Sequence, residues 1–204
     1  MPSLRRLAAI GIQVAAFLGV YYIDAAVAAF RNVQLPWMAV SADRYIPFVP
    51  EFVWVYVSAY VLNTLGLFLV SGYLDKKEFK LAVKVYSTSL VLFALCHLGF
   101  PRMAVRPDVD STMSLSAMVL SYLQGLTTSY NTFPSAHVSY SLITGWLAAK
   151  SFSKNRLLSS VIIVDTIAIV ASVLLVKEHT IMDAVGGAIV AAASISLAKA
   201  MHKQ

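Results

Sequence analysis

The chain has 204 residues, 59% of them apolar and only 13% charged, whereas roughly a quarter of the residues of a soluble domain are charged; lipid is the expected solvent. The formal net charge of +6 does not mark a nucleic-acid binder, because the basic residues sit at the ends of apolar runs and not on one solvated surface interleaved with aromatics. A single cysteine, Cys96, lies inside an apolar run, which excludes an intrachain disulfide and a cysteine-based metal site.

A hydrocarbon core of about 30 Å needs about 20 residues of helix, since every backbone polar group must be satisfied within the segment. Six runs are candidates, which predicts an all-α polytopic membrane protein formed by one domain over residues 1–204, with no linker or internal repeat. The first run, Leu7–Phe30, has a basic start and an Ala-rich end near residues 26–28, as a secretory signal does. It is long for a signal, contains Asp24, and its cleavage would leave an odd number of spans, so it is read as the first span. Phe52–Leu74 and Leu81–Phe100 follow. The connection from Pro101 to Ala136 holds a moderately apolar stretch, Ser114–Thr127, too short to cross and expected at the interface. His137–Phe152, the shortest run, then Leu157–Val176 and Thr180–Met201 complete the six.

Tyr21, Tyr22, Trp37, Trp54 and Tyr56 fall near the expected interfaces and read as aromatic belt residues. Gly186 and Gly187, with Ala184 and Ala188, make a small-residue face that permits close helix approach. Two acids outside the motif segments lie inside spans: Asp24 is expected to face the cleft or pair with a cation from the long loop, and Asp165 to hydrogen-bond a neighbouring helix. His97, at the end of the third span, reads as a satisfied interfacial histidine.

Cytoplasmic loops carry the excess of lysine and arginine. One side collects Arg5, Arg6, Lys76, Lys77, Lys80, Lys84, Lys150, Lys154, Arg156, Lys199 and Lys203; the other collects Arg31, Arg44, Arg102, Arg106 and Lys177. Both termini are therefore expected in the cytoplasm, and a cell inner membrane is the expected location.

The chemistry-bearing residues are Phe133-Pro134-Ser135-Ala136-His137, entering the fourth span, and Lys177-Glu178-His179-Thr180-Ile181-Met182-Asp183, entering the sixth. His179 and Asp183 are four apart and share a helix face. The carboxylate can orient one ring nitrogen and leave the other as a nucleophile, as the orienting acid of a triad does for its base. His137, from another helix, can give a proton to a leaving oxygen, since an imidazole has an unperturbed pKa of about 6.5. A phosphoryl group needs cations and donors on its oxygens: Arg102, Arg106 and Lys177 supply charge, Ser135 a hydroxyl, and the fourth helix start its amides. The alternative is that the histidines merely hydrogen-bond their own loops. Convergence of all seven residues on the non-cytoplasmic side favours a site.

These residues resemble the type 2 phosphatidic acid phosphatase superfamily of membrane lipid phosphatases and phosphotransferases, whose motifs are K-x6-R-P, P-S-G-H and S-R-x5-H-x3-D. The second motif stands here as Pro134-Ser135-Ala136-His137, with Ala for Gly. The third stands as Ser172, Val173 where the family has Arg, then His179 and Asp183. The first survives as Arg106-Pro107, with Gly99 in the lysine's place. Arg102 and Lys177 are nearby replacements for the two missing cations. The weaker third motif and Asp43-Arg44-Tyr45-Ile46-Pro47-Phe48-Val49-Pro50 look like the branch resembling inositol phosphorylceramide synthase. The likeness extends over most of the chain, with its specificity between Arg102 and Asp183.

The resemblance implies that His179 attacks phosphorus to give a phosphohistidine, Asp183 orients it, and His137 protonates the departing alkoxide, without metal or other cofactor. The expected activity is hydrolysis of a membrane lipid phosphate of the phosphatidic acid, phosphatidylglycerophosphate or polyprenyl diphosphate class. Transfer of a phospho-headgroup between lipids, and a non-catalytic lipid carrier on the same fold, are the alternatives; none involves nucleic acid.

Overall fold

A computed structural model describes residues 3–32, 38–127 and 130–203, with the side chains of residues 65, 66 and 203 excepted. The regular elements of the described chain are helices: α1 (Leu4–Phe30), α2 (Val53–Val61) continuing through a π-helical turn (Leu62–Gly66) into α3 (Leu67–Ser71), α4 (Lys76–Gly99), α5 (Leu115–Leu126), α6 (Ala136–Lys150), α7 (Arg156–Leu175) and α8 (Ile181–Lys203). From α4 onward each helix starts where its sequence offers a side-chain acceptor for the orphaned first-turn amides. Asp75 and Glu78 form a reciprocal capping box on α4, and the Glu78 amide holds the Asp75 carboxyl below the usual carboxylate range. Ser114, Ser135 and Asn155 cap α5, α6 and α7 through Ala117, Val138 and Leu158. Thr180 and Asp183 bond each other's side chains from their backbone amides at the start of α8.

Among the described residues five helices are long and apolar enough to cross a membrane: Leu4–Phe30, Pro50–Ser71, Lys76–Gly99, Arg156–Leu175 and Ile181–His202. The protein is an integral membrane protein. The fourth expected span, His137–Phe152, falls in α6, whose 15 residues make about 22 Å of helix and leave it out of those five. It packs on α4, α7 and α8 and buries Val138, Tyr140, Ile143, Thr144 and Leu147. A helix sheathed by protein need not match the hydrocarbon thickness that lipid-facing helices meet. The short segment expected at the interface is α5, 12 residues long.

Small residues and local polar bonds close the bundle where lipid offers no hydrophobic drive between helices. A Cβ on Gly145 would lie 2.9 Å from Thr166 Oγ1, so α6 and α7 meet in near-contact there. Tyr86 and Thr144 hydroxyls bond at 2.6 Å, and Ser58 donates to Asp165 at 2.8 Å, the neighbour-helix bond expected for that acid. Asp24 pairs not with a loop cation but with His97 of α4, at 3.4 Å, with both side chains buried.

The lysine-rich segments meet at one end: Arg6 donates to the carbonyls of Ser71 and Leu74, and Lys154 to that of Tyr73. At the other end the loop before α2 folds onto the start of α8. Val49 N–H donates to Leu175 O at 2.9 Å, and Asp43 Oδ1 accepts from Ile181 N–H at 2.8 Å. Trp54 is half exposed and donates its indole N–H to Ser116 of α5. Trp37 lies outside the described residues.

Candidate active site

The site forms where α6 and α8 begin side by side. The chain reaches α8 through a turn that ends α7: Lys177 N–H bonds Leu174 O, Glu178 N–H bonds Val173 O, and Lys177 has φ 57°. This is a Schellman ending with lysine in the left-handed position that usually takes glycine. It turns residues 178 and 179 inward onto the bundle, where His179 N–H also bonds Val173 O. Ser135 N–H donates to Asp183 O at 2.9 Å, which ties the Pro134–His137 segment to the first turn of α8. The approach requires glycine beneath it, since a Cβ on Gly187 would lie 2.5 Å from Ser135 O. The glycines of the small-residue face expected on the last helix are thus directed at the N-terminus of α6.

His179 Nδ1 stands 3.7 Å from Asp183 Oδ2, and Asp183 is fully buried. The separation exceeds hydrogen-bond length, as catalytic pairs often do before substrate tightens them. The same Oδ2 accepts from Thr180 N–H at 2.8 Å, so the cap of α8 also fixes the carboxylate that faces the histidine. With Nδ1 toward Asp183, Nε2 is the ring nitrogen left to act on a substrate. His137 lies with its ring centroid 5.8 Å from that of His179. It stacks on Tyr56 at 4.4 Å and meets the edge of Tyr60 at 5.3 Å, which locks its orientation. Tyr56, expected in an interfacial belt, is instead 3% exposed and forms part of the site, because it lies on the face of α2 turned toward α6.

Both histidines line a pocket of about 140 Å³ with Arg106, Glu178, Tyr21 and Tyr60 among its walls. Arg106 Nε is 3.0 Å from Glu178 Oε2, and its Nη1 donates to the carbonyls of Gln124 and Thr127. Glu178 Oε1 accepts from Gln124 Nε2 at 2.9 Å, which links α5 to the loop carrying His179. An adjoining apolar cavity of about 270 Å³ shares Phe17, Leu18, Tyr60, Ala136 and His137 with the first and runs between α1, α2 and α6.

Of the seven expected site residues, the fold gathers His137, His179 and Arg106 in the pocket and Asp183 directly behind His179. Ser135, Lys177 and Arg102 are not among the pocket's walls. Ser135 is fully buried, and its hydroxyl caps α6 by accepting from Val138 N–H. Lys177 sends its ammonium to Asp43 O at 3.0 Å, since the left-handed turn at its own Cα points the side chain away from residues 178 and 179. Arg102 meets the site through its backbone, where Thr132 Oγ1 donates to its carbonyl. The residues that sequence reasoning missed are Glu178, Gln124, Asp43 and Tyr60. A Tyr-x3-Tyr spacing on α2 puts Tyr56 and Tyr60 on one face and was a usable signal; Glu178 and Gln124 meet from segments 54 residues apart and carry none.

The family model described as the PAP2 superfamily matches residues 25–197. No curated protein and no solved structure matches the chain.

Proposed function

The chain belongs to the PAP2 superfamily, and from that premise we propose that it is an integral-membrane lipid-phosphate hydrolase working through a phosphohistidine. The observation that carries this reading is one pocket holding two histidines from different helices, 5.8 Å apart by ring centroid, with a carboxylate 3.7 Å behind one of them.

The chemistry runs in two balanced steps. His179 Nε2 attacks phosphorus, the P–N bond forms, and the P–O bond to the lipid breaks; protonated His137 gives its proton to the departing alkoxide. Water then attacks the phosphohistidine, neutral His137 takes the water's proton, and phosphate leaves as the P–N bond breaks. Asp183 opposes the charge that develops on the His179 ring, and the Arg106 guanidinium offers donors to the phosphoryl oxygens. The adjoining apolar cavity suits the hydrocarbon chain of a substrate that stays in the bilayer. The charge asymmetry of the loops supports cytoplasmic termini with the histidines at the opposite face.

A second reading keeps the first step and replaces water with a lipid alcohol, giving transfer of a phospho-headgroup. The aromatic and apolar walls around His137, namely Phe17, Tyr21, Tyr56 and Tyr60, favour it by providing a surface for an apolar acceptor. The test is phosphate release by the purified protein in detergent and EDTA from phosphatidic acid, phosphatidylglycerophosphate and polyprenyl diphosphate, with His179→Ala alongside. Release that disappears in a folded His179→Ala protein is expected, and retained activity overturns the proposal. Product diverted onto an added lipid alcohol selects transfer.

A further inference from the structure

The pocket's cation does not stand alone. Arg106 faces a carboxylate that is 4% exposed, and that carboxylate is pinned on its other oxygen by Gln124 of α5. A buried acid is costly unless paired, so a glutamate retained against the substrate-facing guanidinium changes what that guanidinium can attract. The positions at which the superfamily's motifs carry two further cations hold Gly99 and Val173. The Lys177 ammonium is turned to Asp43, and Arg102 is not a pocket wall. Among the described pocket-lining residues other than the two histidines, the formal charge of Arg106 is therefore cancelled by Glu178.

Resting on the reading of this pocket as a phosphate site, we propose that Glu178 is its charge selector, favouring a lipid phosphate with one negative charge, such as a phosphodiester or a singly ionised monoester, over a dianionic one. A monoanion can share the guanidinium with Glu178. A dianion brings a second negative charge to within a few ångströms of the Glu178 carboxylate, where screening by water is weak. Gln124 acts with it by holding the carboxylate in place from α5, so the interfacial helix contributes to selection without touching the reacting atoms.

The experiment compares two ligands that differ by one charge and share a chain: monododecyl phosphate, a dianion at pH 8, and its methyl ester, a monoanion. Their dissociation constants are measured by titration against the full-length protein in detergent, for wild type and for Glu178→Gln, in which the amide oxygen can still face Arg106. The wild type is expected to bind the methyl ester about tenfold more tightly, and Glu178→Gln to reduce or reverse that ratio. Equal or tighter binding of the dianion by the wild type, or an unchanged ratio in Glu178→Gln, overturns the assignment. A second measurement needs no variant. On the wild type, lowering the pH through the second phosphate ionisation, about 6, should tighten monododecyl phosphate relative to its methyl ester. The ester does not titrate there and reports whatever the protein itself contributes; a ratio that stays flat overturns the proposal. Binding of neither ligand by folded protein overturns the phosphate-site reading itself, a result distinct from binding without selectivity.

Discussion

Replacing Gly187 by alanine tests whether the contact between α8 and the α6 N-terminus sets the catalytic geometry. The added Cβ would sit 2.5 Å from Ser135 O and 3.1 Å from Val138 Cβ, against 3.4 Å for ordinary contact, so the two segments must part by about 0.9 Å. The obstructing atom is backbone, and no side-chain rotation relieves it. His137 is two residues beyond Ser135 on one segment, while His179 and Asp183 belong to the other, so the separation enters the distance between the two histidines. Displacement of a reacting group by about 1 Å costs about 100-fold in rate, and turnover is expected to fall by that order. Stability should change much less, because overpacking of about 1–3 kcal/mol is offset by the gain of about 1 kcal/mol when alanine replaces glycine in a helix. Phosphate release and thermal unfolding in detergent read the two quantities separately. Gly19→Ala, with nothing within 4 Å of the new methyl, is the control and should match wild type. Full activity in Gly187→Ala would refute the claim that this contact positions the site.

Substitutions at two further positions separate roles that lie close together in sequence. Asp183→Asn keeps an acceptor for Thr180 N–H but removes the charge facing His179, so turnover should drop by about 10³-fold or more with unfolding unchanged; Asp183→Ala should in addition lose about 1 kcal/mol with the cap. Equal turnover in wild type and Asp183→Asn would remove the carboxylate from the mechanism. Lys177→Gly should retain turnover within a few-fold, since glycine suits the left-handed position and the lysine ammonium rests on Asp43 O. A loss of about 100-fold, measured with the same phosphate-release assay, would instead place that ammonium on the substrate.

The local chemistry of this protein was legible in its sequence because short-range rules govern it. Apolar run length marked five helices long enough to cross, and the four-residue spacing of His179 and Asp183 brought the two side chains together, although His179 stands in the turn before α8 and not on the helix face that the spacing suggested. The Pro134–His137 and His179–Asp183 segments stood out for the same reason. Lys177 illustrates where that reasoning stops. Its position in the chain put a cation beside His179, but the handedness of one turn sends its side chain to Asp43. Tyr56 reads as a belt residue by its depth, yet the rotation of α2 lays it against His137. Asp24 found its partner in His97, 73 positions away, and Glu178 found Arg106 and Gln124 across two loops. Composition and periodicity report the solvent each segment meets and which residues share a face. Which faces meet, and therefore which charges cancel, is decided by close packing between helices that are far apart in the chain.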